Sequence, residues 1–527
     1  MLRHRGRLVS LAVAVAVAVA ALAIGPLPAA QASAHPRGNA TASARPRVKA
    51  TASARPRART SQADVYATVS GTPSGAPIAP GFVGVSLEYR ALHNYTGRNP
   101  NAINPVLVAL LRALAPGQAP VLRIGGNSTD STWWPIPGVI PPHEVTYGLT
   151  NGWLRTTRAL ASALGAHLIL GVNLAAGRAA FAAAEARAFL QGIGRRYVKA
   201  LEIGNEADVY NLIPGYFDSA QHPVYARPRS YDLASFTREF SRWHAALPAV
   251  PVAGPAFAGF SWLSGLPRFL SAERGLGLVT FHRYPLRGCV SDPTSPQFAS
   301  IPNLLSDRSS AGLAQSVAPY VTVARAHGLP FRIDEMNSAA CEGRSGVSDT
   351  FASALWVLDT LFNMANVGVQ GVNLHTLPGA RYEPFSFTHS GGAWHAFVHP
   401  EYYGMLMFAQ AAPPGSQLLP VSVASGPVKI WATRGLDGRV RVVLINQDPG
   451  SSHEVQLETG ASTVASLQWL LAPSVSATSG VSLAGRTFGA QTDTGTLAGT
   501  LNVSYVDPAS GAYTVALPPG SAVLLTQ

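Results

Sequence analysis

The stretch Val198-Lys-Ala-Leu-Glu-Ile-Gly-Asn-Glu206 begins as a short apolar run and closes on Gly-Asn-Glu. Read with the strand period of two, Glu202, Gly204 and Glu206 share one face, which predicts Glu206 at the mouth of the strand and Glu202 lower down. A second stretch, Phe331-Arg-Ile-Asp-Glu335-Met-Asn337, also ends in carboxylates. Alternation sends Asp334 and Glu335 to opposite faces, and spacing alone does not decide which looks inward.

Outward from these two stretches the same kind of run recurs, at residues 82–87, 121–124, 168–173, 252–255, 278–282 and 369–375. With 198–204 and 331–335 that predicts eight strands. The intervening segments carry helical spacing; Leu233, Phe236, Phe240, Trp243 and Leu247 fall on one face of an otherwise polar stretch, and residues 348–366 read the same way. Eight βα units predict an α/β fold, a (β/α)8 TIM barrel over residues 81–415, with an open doubly wound sheet as the rival. No G-x-G-x-x-G or G-x-x-x-x-G-K-[ST] follows the first strand, so the nucleotide-binding form of the rival lacks its main support.

From residue 416 the runs become short and alternating, at 428–433, 440–446, 454–457, 466–470 and 513–517, separated by Gly, Asp, Pro and Ser turns. Residues 416–527 therefore predict an antiparallel β-sandwich. A strand-like stretch at 65–69, within the connecting segment 65–80, is expected to join it.

The chain has 527 residues and a formal charge of +12. Ten of its 39 basic residues precede Asp64, where there is no acidic residue, so the rest holds 29 basic against 27 acidic side chains. Residues 1–34 have the parts of a secretory signal: Arg3, Arg5 and Arg7, an apolar run over 8–24, and Ala30-Gln-Ala-Ser-Ala34. Residues 35–64 predict a disordered basic Ala/Pro/Arg linker, in which Ala-Thr-Ala-Ser-Ala-Arg-Pro-Arg occurs twice. A retained membrane anchor is the alternative to cleavage, and after cleavage no membrane partner is expected. The nearly neutral body gives no reason to expect nucleic acid. The expected setting is secreted and extracellular.

Two carboxyl groups facing each other across a cleft are what glycosidic bond cleavage requires: one protonates the leaving oxygen, the other attacks the anomeric carbon or activates water. Carboxylates at strand ends also cap helices or pair with arginines such as Arg123 and Arg332. Trp133, Trp134, Tyr284, Tyr382 and Trp394 fall in expected loops after strands, where rings either stack on sugar faces or pack beneath the loops. No H-E-x-x-H or C-x-x-C is present, so neither a metal nor another cofactor is expected.

Gly-Asn-Glu206 and Glu335-Met-Asn-Ser resemble the acid/base and nucleophile motifs of the retaining (β/α)8 glycoside hydrolases. Arg123-Ile-Gly-Gly-Asn-Ser-Thr-Asp130, Gly346-Val-Ser-Asp-Thr-Phe-Ala-Ser-Ala-Leu-Trp356 and Pro400-Glu-Tyr-Tyr-Gly404 narrow the resemblance to glycoside hydrolase family 79, the β-glucuronidase and heparanase-like family. The similarity runs from about residue 65 to the C-terminus. It implies that Glu206 is the acid/base and Glu335, rather than Asp334, the nucleophile, acting by double displacement. It implies further that Asn205 contacts the sugar 2-hydroxyl, that Tyr284 hydrogen-bonds the nucleophile, that Glu88 and Asp130 accept ring hydroxyls, and that Tyr382 lines the pocket. Such a role needs Glu206 protonated near neutral pH and Glu335 ionised.

The loop Met336-Asn-Ser-Ala-Ala340-Cys341-Glu342-Gly-Arg344 departs from the glucuronidase pattern, because Ala340 and Glu342 stand where donors to a sugar carboxylate are found. A carboxylate there repels a uronate, unless Arg344 pairs with the sugar or Glu342 turns to solvent. A β-glucuronide substrate is expected; hydrolysis of a neutral β-glycoside (a glucoside or galactoside) is the alternative, and a non-catalytic carbohydrate-binding barrel is disfavoured by the presence of both Glu206 and Glu335. Polyanions have only local basic residues, such as Arg283, Arg287 and Arg344, to hold them. Cys289 and Cys341 are the only cysteines, and loops six and seven are expected to join them in a disulfide at the barrel mouth. Oligomeric state is not readable from the sequence.

Overall fold

The computed structural model describes residues 63–425, 427–460 and 462–527; the signal segment and nearly all of the linker lie outside the described residues. Eight parallel strands, Val83–Glu88, Val121–Gly125, His167–Val172, Val198–Ile203, Val252–Phe257, Leu276–Arg283, Phe331–Met336 and Val372–Thr376, close into a barrel in which each pairs with its neighbours in the chain. Closure of the fourth strand on the fifth excludes the open doubly wound sheet.

The first inward-facing residues are apolar. Val121, Ile169, Ala200, Ala253 and Leu278 form their own buried cluster near the strand starts. Two residues further along, the same faces carry Arg123, Gly171, Glu202 and Thr280, so an apolar plug underlies a polar layer. Burying those polar groups is costly unless they pair, and the pairing they make builds the site described below.

Two helices anchor the closing side of the barrel. Phe351–Asn366 is buried on nearly every face and packs on Pro400–Ala411. At Gly404 a Cβ would stand 2.1 Å from the Ala354 carbonyl oxygen, so only glycine permits this crossing. Phe362 stacks on Trp431 at 5.6 Å, tying this helix to the C-terminal domain.

That domain is two sheets over a shared apolar core. One orders Val421–Ser425, Val65–Val69, His453–Glu458 and Ala512–Leu517; the other is built on Val428–Arg434, Val440–Asn446, Ser521–Thr526 and Ala465–Leu471. Pairings within the C-terminal residues are antiparallel, but Val65–Val69 lies antiparallel to Val421–Ser425 and parallel to His453–Glu458, which makes that sheet mixed. Asp64 already belongs to the folded domain: its carboxylate pairs with His453 at 2.6 Å and its backbone N–H with the Glu454 carbonyl. No helix among the described residues is long and apolar enough to cross a membrane.

Candidate active site

Arg123, fully buried on the second barrel strand, organises the polar layer. Its Nε donates to Glu202 Oε2 at 2.7 Å, Nη1 to Glu335 Oε2 at 2.7 Å and to Ser86 Oγ at 3.1 Å, and Nη2 to Asn205 Oδ1 at 2.9 Å. Burial opposes its charge, but Glu202, Asp334 and Glu335 outweigh that and hold the guanidinium firmly cationic.

Asp334 and Glu335 do not point to opposite faces. Asp334 Oδ2 stands 3.2 Å from Arg123 Nε, while Glu335 reaches Nη1 of the same side chain. The cause is an irregularity in the seventh strand. Its register with the sixth shifts between Phe281 and His282, and with the eighth between Ile333 and Met336. Such a bulge re-aims side chains and cancels simple alternation.

Glu206 also reaches the mouth by an irregular route. The fourth strand stops at Ile203; Gly204 has φ +76° and Glu206 φ 55°, so the chain passes through left-handed conformations rather than continuing extended. A Cβ on Gly204 would lie 2.8 Å from Leu174 and 3.0 Å from Tyr210 Oη. A left-handed glutamate stores strain of a kind met at functional sites. Its backbone N–H donates to the Ala256 carbonyl at 2.9 Å, which fixes the turn.

His282, inward on the sixth strand, joins the carboxylates. Its Nδ1 is 2.9 Å from Glu206 Oε1 and 3.9 Å from Glu335 Oε2, and oxygens of Glu206 and Glu335 lie within 4.8 Å of each other. Tyr284 Oη donates to Glu335 Oε1 at 2.9 Å, and His375 Nδ1 lies 3.8 Å from Oε2. Burial pushes the Glu335 carboxyl up, but His375, His282, Arg123 and the Tyr284 hydroxyl together hold it far below the usual carboxylate range. Glu335 is therefore an ionised carboxylate with donors on both oxygens.

Other residues singled out in the sequence are placed as follows. Asn205 spends Oδ1 on Arg123 and keeps Nδ2 near Asn127 Oδ1 at 3.4 Å. Glu88 accepts from the backbone N–H groups of Asn127 and Ser128 and from the Ser128 hydroxyl, so it braces the second loop. Asp130 accepts from Tyr210 Oη at 2.5 Å and from the Leu174 and Ala175 N–H groups; burial pushes it up to about 6 against these bonds. Tyr382 is buried beside Tyr284 and His375, with ring centroids at 6.4 and 6.0 Å. Arg344 stacks on Phe298 at 4.3 Å, and the Glu342 side chain is exposed.

Trp133 packs on Phe181 in a satellite apolar cluster, and Trp394 lies on a strand of the hairpin formed by Phe385–Ser390 and Ala393–Val398 rather than in an irregular loop. Cys289 and Cys341 form a disulfide between loops six and seven, which also share the short parallel pairing of Leu286–Arg287 with Ala339–Ala340.

His282, His375 and Tyr210 were missed as site residues in the sequence. His282 stands in His282-Arg-Tyr284, two residues before Tyr284 and hence on one face with it, a usable signal; nothing local marked the other two. Two trios, Glu202/His282/Asp334 and Glu206/His282/Glu335, offer ligand atoms within 4.8 Å of one another, and both belong to this same acid–base cluster.

Residues 430–524 match the glycosyl hydrolase family 79 C-terminal beta domain. The chain is 25% identical over 389 residues to a β-glucuronidase of Neurospora crassa, covering 67% of each chain, and 24% identical over 421 residues to a β-glucuronidase of Aspergillus niger, covering 70% of this chain and 72% of that one. Its fold is similar to that of a 4-O-α-L-rhamnosyl-β-D-glucuronidase from Fusarium oxysporum, with TM-score 0.68 and 20% identity over 88% of this chain and 100% of that one. A family 51 arabinofuranosidase from Xanthomonas axonopodis pv. citri shares the fold at TM-score 0.62 and 14% identity, again over 88% and 100%. These findings support a glycosyl hydrolase of the family 79, β-glucuronidase-like kind.

Proposed function

We propose that this glycosyl hydrolase is a secreted, retaining β-glycosidase that acts on β-glucuronides through a covalent glycosyl-enzyme on Glu335, with Glu206 as acid/base. The separation of the two carboxylates carries the reading. An oxygen of Glu206 and one of Glu335 come within 4.8 Å of each other, a close approach that favours direct attack by one carboxylate, which needs about 5–5.5 Å between groups, over inversion, which places the groups about 6.5–9.5 Å apart.

Glu335 is held ionised and in line by Arg123 and Tyr284, one on each oxygen. It attacks the anomeric carbon as Glu206 gives its proton to the departing oxygen. Glu206 then takes a proton from water, which attacks the same carbon and releases Glu335. Asn205, its carbonyl fixed by Arg123, presents Nδ2 as the donor for the sugar 2-hydroxyl.

The glucuronide preference rests on the named relatives. One observation favours a neutral β-glycoside instead: Arg344, the cation of the seventh loop, lies on Phe298. Assay of the mature protein on p-nitrophenyl β-glucuronide, β-glucoside and β-galactoside separates these readings. Turnover highest on the glucuronide, with the β-anomer of the sugar released first by NMR, supports the proposal; release of the α-anomer overturns retention, and sugar binding without turnover overturns catalysis.

A further inference from the structure

Beneath the catalytic pair lies a second pair of carboxyl groups. Glu202 and Asp334 are fully buried against one cation: Arg123 Nε donates to Glu202 at 2.7 Å and is ion-paired with Asp334 at 3.2 Å. Glu202 Oε1, both oxygens of Asp334 and His282 Nε2 are buried without a hydrogen-bond partner, although oxygens of the two carboxyl groups lie within 4.8 Å of each other and of a His282 nitrogen. Two adjacent carboxylates in a dry site do not both ionise, and a proton between them satisfies one orphaned oxygen on each group. His282 stands over this pair, with Nε2 3.7 Å from Asp334 Oδ1 and Nδ1 hydrogen-bonded to Glu206.

We propose that Glu202 and Asp334 hold a single proton between them, and that Asp334, kept neutral in this way, is a positioning residue that acts through His282 to leave the mobile proton on Glu206. This step rests on the reading of Glu206 as acid/base. The logic is electrostatic. His282 and Glu206 share one proton across a 2.9 Å hydrogen bond, as imidazolium with carboxylate or as imidazole with carboxylic acid. An ionised Asp334 at the far nitrogen favours the imidazolium and leaves Glu206 unable to donate. A neutral Asp334 relaxes that bias, so the proton moves from Nδ1 to the Glu206 oxygen and on to the leaving group, and it returns from the attacking water.

The charged and titratable groups around the relay are few. Asp334 faces Glu202, Arg123 and His282, with Arg332 on its own strand; Tyr89 lies near Glu202; His282 also faces Glu335, which His375 adjoins. Burial and then Glu202 push Asp334 up, whereas Arg123 keeps Glu202 ionised against its own burial. Burial opposes the His282 cation, but Glu335, an ionised Asp334 and the bond to Glu206 outweigh that and Arg123, and push the imidazole up to about 9; a proton on Asp334 removes its share of that push and so shifts the proton toward Glu206. Glu335 is common to both states of the relay, which leaves Asp334 as the variable element.

Two isosteric substitutions should act differently. Asp334→Asn is permanently neutral and still donates to Glu202, so the plateau and the alkaline limb of kcat on a glycoside with a poor leaving group should stay where they are in the parent. Glu202→Gln leaves Asp334 as the ionised counter-charge of Arg123, which draws the shared proton onto His282, so the plateau of kcat should fall by about tenfold while the alkaline limb stays or moves to higher pH. Infrared difference spectra of the full chain at neutral pH should show one protonated carboxyl band fewer in Asp334→Asn than in the parent. A plateau that falls as far in Asp334→Asn as in Glu202→Gln, an alkaline limb that moves to lower pH in Glu202→Gln, or an unchanged infrared band, overturns the proposal. If Glu206→Ala proves insensitive to leaving group, the acid/base reading fails, and the infrared band still reports separately on the shared proton.

Discussion

Arg123 and Glu335 form a buried ion pair, Nη1 to Oε2 at 2.7 Å, although they sit on strands two and seven of the barrel. The same guanidinium serves Glu202, Ser86 and Asn205, so its planar fork fixes both Glu335, the proposed nucleophile, and the amide beside Glu206. Lysine cannot reproduce that fork. Arg123→Lys should lower kcat by about 100-fold through misplacement of Glu335. Arg123→Met strands buried carboxylates and should destabilise the fold by about 3–5 kcal/mol, measured by denaturant unfolding.

Removing each of the two proposed reacting groups separates their roles. Glu335→Ala should leave less than about one part in ten thousand of kcat on every substrate, since no nucleophile remains. Glu206→Ala should lose about 100- to 10,000-fold on glycosides with poor leaving groups and much less on activated aryl glycosides, because only the former need a proton. Parallel kcat measurements across a series of aryl leaving groups check both. Normal rates in Glu335→Ala would sink the assignment.

Tyr284→Phe removes the donor to Glu335 Oε1, one of the contacts that hold this carboxyl low. The folded-state pKa must then rise. Because the proposed nucleophile must be ionised to attack, the acid limb of kcat/KM should move to higher pH, with kcat reduced at its optimum. A limb that stays or moves to lower pH contradicts the role given to this hydroxyl.

The barrel was legible because its strands are buried on both faces and read as apolar runs ending in polar residues, as at Val198–Ile203 and Phe331–Met336. Ser521–Thr526 escaped notice although Ala522, Val523, Leu524 and Leu525 are all buried, because a run without alternation sits badly in a pattern of half-exposed strands. The bulge at Asp334 and Glu335 was invisible for another reason. Period-two reasoning assumes a regular strand, and the register shift is imposed by its neighbours. His375 and Tyr210 likewise enter the site through tertiary contacts that no local pattern encodes.

The Cys289–Cys341 bridge closes a segment of 52 residues and clamps the loops that carry Tyr284 and Arg344. Paired Cys289→Ala and Cys341→Ala substitutions should cost about 2–4 kcal/mol. Because Tyr284 is on the tethered loop, KM should rise together with the loss in kcat. Calorimetry and kinetics with and without reductant on the parent chain should show the same direction, and unchanged melting under reduction would contradict a stabilising bridge.

Several buried carboxyl groups outside the reaction set the dependence of stability on pH. Burial pushes Asp130 up to about 6, and Asp208 and Glu383 each up to about 7, from ordinary values near 4. The sign follows from proton binding: the folded chain holds protons that the unfolded chain has released. Their contribution is present in full below the unfolded pKa and is lost as pH rises through the folded values. The melting temperature should therefore fall between about pH 4 and pH 7, opposite to the trend set by Glu335, whose depressed pKa gives stability that is present above its unfolded value and lost as pH falls below about 4. Asp208 gives the cleanest check, because it accepts from the Ala258 and Gly259 N–H groups at 2.9 and 2.8 Å, an arrangement that asparagine preserves in part. Asp208→Asn should flatten the slope between about pH 4 and pH 7 by calorimetry; a slope as steep as that of the parent would mean that Asp208 does not titrate in this window.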